Sequence, residues 1–264
     1  MSDYSPELQT FLNLLDKKEK MVAMMAPSFP VDFSSPEVVG KLRRLGFSHV
    51  VEVAVGAAET NKGLLELLRA NPASRFITSP CPSIVRLIRA KYPQLIKYLA
   101  PVDSPMAMTS KLVKEKYPDH RLVFIGPCVM KKLEASEDHP ELKIVVLTYK
   151  EIKEVFRIKK IKNDKKDFSA SFDLIGPSTR LYSISGGLTQ SASLNSYLTD
   201  EELDVVSGIE NVQKALEAFP TNRLKVLDIL NCWGGCISGP GITSKLSLEQ
   251  RRARVITHWA HGLR

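Results

Sequence analysis

Short apolar runs alternate with stretches of helical periodicity along most of this chain. The runs fall at residues 22–26, 49–55, 75–78, 122–125, 143–148 and 225–230. Apolar runs of this length between helical segments are typical of strands that are buried on both faces. Because parallel strands need helices to cross from one to the next, the pattern predicts an α/β protein with mostly parallel sheets flanked by helices.

The order of these runs predicts two lobes within one domain of residues 1–264. A soft boundary falls near residues 115–120, where a predicted helix ends at Lys116 before Tyr-Pro-Asp. The lobes would then cover about residues 1–118 and 119–264, each with its own sheet. We expect the last strand and the last helix to pack back on the first lobe. The cleft between two such lobes is a natural place for a bound group.

The composition is typical of a globular protein, with 44% hydrophobic and 25% charged residues among 264. No segment reaches the roughly 18 uninterrupted apolar residues that a membrane span needs. The acidic, proline-containing first residues lack the basic and then apolar layout of a secretory signal. We therefore expect a cytoplasmic protein with no membrane partner.

The chain carries a net charge of +8, from 37 Lys and Arg against 29 Asp and Glu. Its densest basic segment, residues 157–166, has no aromatic residue for stacking on bases. We therefore expect a solvated loop there and no nucleic-acid partner. Docking of an acidic electron carrier is the alternative interpretation of this charge.

All four cysteines lie in loops rich in Pro or Gly that follow predicted strands. The loops are Thr78-Ser-Pro-Cys-Pro82, Gly126-Pro-Cys128 and Asn231-Cys-Trp-Gly-Gly-Cys236. A disulfide framework is not expected in a cytoplasmic protein, because its thiols stay reduced. A structural cysteine more often packs inside a helix or strand. The carboxyl ends of strands are where α/β proteins build their sites, so the pattern indicates that the four thiols are ligands.

Soft thiolate ligands select zinc or iron–sulfur clusters. Structural zinc usually uses close Cys-x-x-Cys pairs, whereas here 47 residues separate Cys81 from Cys128 and 104 separate Cys128 from Cys232. Ligands from such distant points favour a larger iron–sulfur centre held between two lobes. A zinc-stabilised interaction domain remains open as the alternative.

The residues around the cysteines are recognisable. The segments are Thr78–Pro82, followed by Tyr92-Pro-Gln-Leu and Ser104-Pro; Pro127-Cys-Val-Met-Lys-Lys-Leu-Glu134; and Cys232-Trp-Gly-Gly-Cys236. In order and spacing they resemble the three cluster-binding motifs of the iron-only ([FeFe]) hydrogenase catalytic domain. Met25-Ala-Pro-Ser28 and Ser185-Gly-Gly187 match as well, so the resemblance covers nearly the whole chain.

The resemblance implies an H-cluster, which is a [4Fe–4S] cubane joined to a di-iron subcluster with CO, CN and azadithiolate ligands. By this resemblance Cys81, Cys128 and Cys232 are cubane ligands, and Cys236 is the thiolate that bridges to the di-iron unit. Lys131 matches the lysine that hydrogen-bonds a cyanide, and Glu134 matches the glutamate that pairs near it. Further cofactor contacts fall on Ala26, Pro27 and Ser28, on Gly126 and Leu230, and on Ser185, Gly186 and Gly187.

Several positions differ from the family pattern where efficient members carry a proton relay. The cysteine that precedes the cubane ligand is Pro80, which has no ionisable group. The serine farther along the relay is Ala100, and the helix that bears its carboxylate reads Asn-Lys-Gly-Leu-Leu at 61–65. The resemblance therefore predicts slow turnover of hydrogen.

The cofactor surroundings differ as well. Gly126 and Leu230 replace two methionines, and Tyr182 replaces a phenylalanine and brings a hydroxyl near the cofactor. These changes resemble the sensory branch of the family, whose members are linked to PAS-type signalling modules. Neither a PAS module nor a ferredoxin-type cysteine array is evident in this sequence.

Two functions are therefore predicted. The first is a hydrogen sensor or slow hydrogenase that interconverts H2 with protons and electrons. It would need hydrogenase maturation proteins and an electron-transfer partner, either a ferredoxin-type protein or iron–sulfur and PAS domains of a longer chain. The alternative is a non-catalytic protein that carries only a cubane, related to the hydrogenase-like factors of cluster assembly.

Overall fold

The computed structural model describes residues 4–262 as an α/β protein with two parallel sheets. The strands are β1 (Met21–Met25), β2 (His49–Glu52), β3 (Phe76–Ile77), β4 (Arg121–Gly126), β5 (Val145–Thr148), β6 (Leu203–Ser207) and β7 (Val226–Leu230). The predicted α/β fold with mostly parallel sheets flanked by helices is confirmed.

Ten α-helices are present within residues 4–262. They are α1 (Pro6–Asp16), α2 (Glu37–Leu45), α3 (Ala54–Ala70), α4 (Pro82–Lys91), α5 (Pro105–Lys116), α6 (Met130–Leu133), α7 (Tyr149–Ile158), α8 (Gly187–Ser191), α9 (Ile209–Ala218) and α10 (Leu248–Gly262). A π-helical turn, Glu134–Asp138, continues α6. In this part of the chain, no helix combines the length and the apolar character needed to cross a bilayer.

The two sheets interleave along the sequence. One has the order β2-β1-β4-β5 and the other β3-β7-β6, with every pair parallel. Each sheet therefore takes strands from both sides of residue 118, and the expected lobes of about 1–118 and 119–264 do not correspond to the sheets. The physical reason is that β1 and β7 are central strands, and each pairs on one side with a strand from the other part of the chain, β4 and β3 respectively.

Burial explains why the apolar runs form central strands. Every residue of β1 and β7 is buried, and the four-stranded sheet lies in the largest apolar cluster together with α1, α2 and α7. Two smaller clusters cover the three-stranded sheet. Strand β6, which the sequence pattern did not predict, is an edge strand with no fully buried residue. Its half-exposed side chains give no continuous apolar run.

The last helix packs against the first half of the chain. The ring of His258 on α10 lies edge-on to Phe29, with 4.9 Å between ring centroids. The guanidinium of Arg180 donates to the His258 carbonyl oxygen at 3.2 Å and forms a buried ion pair with Glu52 at 2.6 Å. Helix α10 is therefore fixed by both apolar and charged contacts.

Candidate metal centre

Each cysteine loop is held by the end of the strand before it. Cys81 follows β3 and is the N-cap residue of α4, Cys128 lies between β4 and α6, and Cys232 follows β7. Backbone contacts join the loops, since the Thr78 N–H donates to Leu227 O at 3.0 Å and the Gly241 N–H donates to Pro127 O at 2.7 Å. Loops that are remote in sequence are therefore brought to one place.

The four thiols are close enough to affect one another electrostatically. Burial raises the pKa of the Cys232 thiol to about 11, and the nearby Cys81 and Cys128 add to this shift. Burial also raises the pKa of the Cys128 thiol, and the nearby Cys81 adds to this shift. The Lys131 ammonium acts in the opposite direction and lowers the pKa. The pKa of Cys236 is raised well above its ordinary value, first by desolvation and then by the other three thiols. In the metal-free protein these groups are thiols, so metal binding must displace their protons.

All four cysteines are free, and within residues 4–262 no three His, Cys, Asp or Glu side chains are placed to hold one metal ion. A four-iron cubane presents its iron atoms at separate corners, each to one thiolate, so its ligands stand farther apart than those of a zinc ion. A cluster can therefore take its ligands from separate loops, such as those that carry Cys81, Cys128 and Cys232.

Two glycines shape the loop between Cys232 and Cys236. Gly235 has φ +104°, and a Cβ there would lie 2.6 Å from the Ser183 carbonyl oxygen. The Ser185 N–H donates to Gly234 O at 3.0 Å. The loop is therefore packed on the segment before α8, which only glycine allows at this approach.

A cavity of about 70 Å³, which we call the inner cavity, lies beside the cysteines. Its lining consists of Ala26, Pro27, Ser28, Val53, Pro80, Pro105, Met106, Phe124, Pro127, Cys128, Lys131, Tyr182, Ser183, Leu230 and Cys236. The structure thus brings together most of the residues that the resemblance assigns to the cofactor. Four others, Gly126, Ser185, Gly186 and Gly187, lie outside this lining. Gly126 ends β4, whereas the segment 185–187 supports the Cys232–Cys236 loop and begins α8, where Gly186 adopts φ +77°.

Lys131 reaches the inner cavity as a buried cation. Its Nζ donates to Glu134 Oε2 at 2.6 Å, to Ser104 Oγ at 3.0 Å and to the Pro80 carbonyl oxygen at 3.2 Å. Ser104 also donates to the other carboxylate oxygen of Glu134. All three ammonium donors are therefore engaged, and the longest of these contacts, to Pro80, is the one most easily exchanged for a ligand in the cavity.

Ser28 is fully buried and is joined to a residue that the sequence did not indicate. Its hydroxyl lies 2.7 Å from Tyr149 Oη, which in turn donates to Ala26 O at 3.1 Å. Burial raises the pKa of Tyr149 well above its ordinary value, and Cys236 contributes to this shift. Tyr149 therefore stays protonated and fixes the Ala26–Ser28 loop. No local sequence pattern marks it, because the contact spans 121 residues.

Two residues that line the inner cavity carry a hydroxyl without a hydrogen-bond partner among the described residues. Tyr182 Oη and Ser183 Oγ are buried and make no hydrogen bond to any residue of the described chain. Gly126 does not open space in the cavity, because a Cβ there would lie 2.5 Å from the ring of Phe124. The Phe124 ring takes the volume that a longer side chain at position 126 would need.

The model of one family, the iron only hydrogenase large subunit, C-terminal domain, matches residues 19–240. The chain belongs to this family. Iron hydrogenase 1 of Clostridium pasteurianum is 25% identical across 92% of this chain and 55% of its own. The cytosolic Fe-S cluster assembly factor NAR1 of Encephalitozoon cuniculi (strain GB-M1) is 26% identical across 64% of this chain and 52% of its own. The iron-only hydrogenase domain described here thus spans about half the length of these relatives.

Solved structures support the same fold. A variant of the [FeFe]-hydrogenase HydA1 from Chlamydomonas reinhardtii superposes with a TM-score of 0.74 at 19% identity, covering 94% of this chain and 88% of that one. An apo form of a HydA1 variant gives a TM-score of 0.69 at 20% identity with the same coverage. At this identity the likeness supports the fold alone.

Two of the three positions at which the sequence predicts the loss of a proton relay line the inner cavity or a second cavity. Pro80 lines the inner cavity, whereas Ala100 lines a second cavity of about 390 Å³, which we call the outer cavity. Asn61 lies away from both and donates to Ser191 Oγ at 3.0 Å. The outer cavity is lined by Ser79, Pro82, Val85, Arg89, Ile96, Leu99, Ala100, Pro101, Val102, Asp103, Ser104, Glu134, Asp138 and His139.

Proposed function

We propose that this iron-only hydrogenase domain binds an H-cluster and reacts reversibly with hydrogen at a low rate, as a sensor of hydrogen or redox state. The observation that carries the proposal is the convergence of four thiols beside a cavity that contains a buried lysine. The Lys131 ammonium is already paired with Glu134 at 2.6 Å, and its third donor, on the Pro80 carbonyl, is the one available to an anionic ligand in the cavity.

The positions of the thiols support distinct ligand roles. Cys128 and Cys236 both line the inner cavity, whereas Cys81 and Cys232 lie outside its lining. Together with the resemblance of the motifs, this arrangement leads us to infer that Cys81, Cys128 and Cys232 would hold a [4Fe–4S] cubane and that Cys236 would also hold a di-iron unit. When bound, the group would supply the chemistry that interconverts H2 with protons and electrons.

The chain's own residues would hold the ligands of this unit. Lys131 Nζ can exchange its 3.2 Å contact with the Pro80 carbonyl for a charge-assisted hydrogen bond to a cyanide. The Ala26–Ser28 loop, fixed by Tyr149, forms the opposite wall. Apolar Val53, Met106 and Leu230 exclude bulk water from the cavity.

A slow sensor is favoured over a fast enzyme because Pro80 lines the inner cavity and has no proton to transfer. Since the chain spans about half of its curated relatives, an electron-transfer partner or further iron–sulfur or PAS domains would supply and receive electrons. Maturation proteins in the cytoplasm would build the di-iron unit.

The test is anaerobic loading with iron, sulfide and a synthetic di-iron precursor. We expect infrared bands of bound CO and CN, about six iron atoms per chain and slow hydrogen-dependent dye reduction. Full iron content without such bands and without turnover would contradict the proposal. Zinc in place of iron, by elemental analysis, would support an interaction domain instead.

The similarity to NAR1 favours a second candidate, a cluster-assembly factor that carries only the cubane. Under that function the chain would bind about four iron atoms and show no CO or CN bands after the same loading. The inner cavity weighs against it, because a cubane alone would leave the cavity and the Lys131 ammonium that lines it without a ligand.

A further inference from the structure

A third cavity, which we call the side cavity, is lined by α3 and by the segments before and after the start of α8. Its volume of about 320 Å³ lies in the range of small-ligand sites. Five residues of α3 line it at the spacing of a single helix face: Ala58, Asn61, Lys62, Leu65 and Arg69. The rest of the lining comes from Ser178, Thr179, residues 191–193 and Tyr197. The side cavity shares no lining residue with the inner or the outer cavity.

The lining of the side cavity is positively charged. Lys62 and Arg69 are exposed, and no Asp or Glu is among the described residues that line the cavity. Within residues 4–262 neither cation forms an ion pair, since Arg69 donates to the Tyr197 hydroxyl at 3.0 Å and Lys62 has no hydrogen-bond partner. Two helical turns, about 11 Å, separate their backbones, a gap that two long side chains can close around one anion. The side cavity is therefore suited to a ligand with about two negative charges.

Asn61 adds a buried acceptor that no other described residue uses. The residue is only 5% exposed, and its Nδ2 donates to Ser191 Oγ at 3.0 Å. Because Ser191 Oγ donates its own proton to the Gly187 carbonyl oxygen at 2.7 Å, it must accept from Asn61, which fixes the orientation of the amide. Asn61 Oδ1 is then left without a hydrogen-bond partner among the described residues. An unpaired buried acceptor is unfavourable, and a donor on a ligand in the side cavity would offset its cost.

We propose that the side cavity binds a phosphate monoester that carries hydroxyl groups. Near neutral pH such a phosphate has almost two negative charges and three strong acceptor oxygens, whereas a carboxylate has one charge and two oxygens. Lys62 and Arg69 match the phosphate in charge, and the hydroxyls of Ser178 and Ser193 in the same lining can donate to its remaining oxygens. A hydroxyl of the ligand donates to Asn61 Oδ1. The site needs no iron and does not rest on the proposed function.

The test is isothermal titration calorimetry of the full chain, as purified, with ribose 5-phosphate, inorganic phosphate and ribose. We expect ribose 5-phosphate to bind about 10-fold more tightly than inorganic phosphate, because only the ester brings a hydroxyl to Asn61 Oδ1. Ribose, which lacks the charge, should not bind measurably. Absence of binding by ribose 5-phosphate, or equal affinity for the ester and inorganic phosphate, would overturn the proposal.

Lys62→Gln removes one of the two cations. Lys62 is exposed and unpaired among the described residues, so the variant should fold normally and bind ribose 5-phosphate about 10-fold more weakly. Lys214→Gln on α9 is the matched control, because it removes the same charge from an exposed lysine that lines none of the three cavities. Equal affinities in the two variants would indicate general attraction to a basic chain and would overturn the site.

Asn61→Ala tests the contact with the ligand hydroxyl. We expect its affinity for ribose 5-phosphate to fall to that for inorganic phosphate, while the affinity for inorganic phosphate stays as in the wild type. A loss of the same size for both ligands would assign Asn61 to holding the wall of the cavity through Ser191 and would overturn the hydroxyl contact.

Adenosine 5′-monophosphate distinguishes the two sources of such a ligand. Tighter binding than that of ribose 5-phosphate would assign a nucleotide, and weaker binding would assign a sugar phosphate, and both results support a site for a phosphate monoester. The titrations do not depend on a bound cluster. Their failure would therefore leave the proposed function in place, and a failure of cluster loading would leave the side cavity site in place.

Discussion

Lys131 Nζ lies 2.6 Å from Glu134 Oε2, in an ion pair whose side chains are only 10% and 7% exposed. Breaking a buried pair leaves a charge without a partner, whereas removing both charges does not. The contribution of the Lys131–Glu134 pair to the free energy of unfolding can therefore be predicted without reference to any bound group.

We expect Lys131→Met to lower the free energy of unfolding of the metal-free protein by about 3 kcal/mol, because Glu134 is left buried without its cation. The double variant Lys131→Met/Glu134→Gln should recover most of this loss. Urea denaturation of the three proteins measures both effects. Equal stability of the single and double variants would show that the pair is not coupled.

Pro80→Cys should raise hydrogen evolution in the loaded protein. A thiol at the inner cavity can pass protons, a function that typically contributes roughly 10²-fold or more when the group is well placed. We expect about 10²-fold or less, since Ala100 and the 61–65 segment also lack relay groups. Dye-coupled hydrogen evolution at equal iron content measures the change. The control is Pro80→Ala, and equal rates in the two variants would contradict the prediction.

Tyr182→Phe removes a buried hydroxyl that has no hydrogen-bond partner within the described residues. The metal-free protein should therefore keep or slightly gain stability, because no hydrogen bond is lost. In the loaded protein the CO or CN bands should shift, since Tyr182 lines the inner cavity. Infrared spectra before and after the substitution decide the matter, and unchanged bands would place the hydroxyl away from the ligands.

Glu52 makes the stability of the fold depend on pH. Burial alone raises the pKa of its carboxyl, but the His258 ring at 3.5 Å and the Arg180 guanidinium at 2.6 Å lower the pKa below the ordinary 4.5. A lowered folded-state pKa gives stability that is complete above about pH 5 and is lost as the pH falls through the folded value.

We therefore expect Glu52→Gln to flatten the acid side of the stability curve measured by urea denaturation from neutral pH to pH 3. At neutral pH the variant should be less stable, because Arg180 loses its anion. An acid limb as steep as that of the wild type would show that other carboxylates control acid unfolding.

The sequence predicted the parallel α/β fold and the loops that carry the cysteines, because both follow from local patterns. Apolar runs marked β1, β4 and β7, and Pro or Gly marked the loops after them. Strand order was not predictable in this way, since β1 pairs with β4 across about a hundred residues. Strand β6 was not predicted, because its side chains are half-exposed and form no continuous apolar run.

The candidate site shows the same division. Lys131, Pro80 and Tyr182 were assigned from motifs and do line the inner cavity. Tyr149 and Phe124 could not be assigned from the sequence, because their roles arise only from contacts with Ser28 and with the backbone at Gly126. Side chains outside the motifs that complete such a cavity require the fold to be known.

The most direct measurement compares the infrared spectrum and iron content of the anaerobically loaded protein with those of Cys236→Ala. We predict CO and CN bands with about six iron atoms per chain for the wild type, and about four iron atoms without bands for the variant. Bands of equal intensity in both proteins, or none in either, would contradict a di-iron unit held through Cys236.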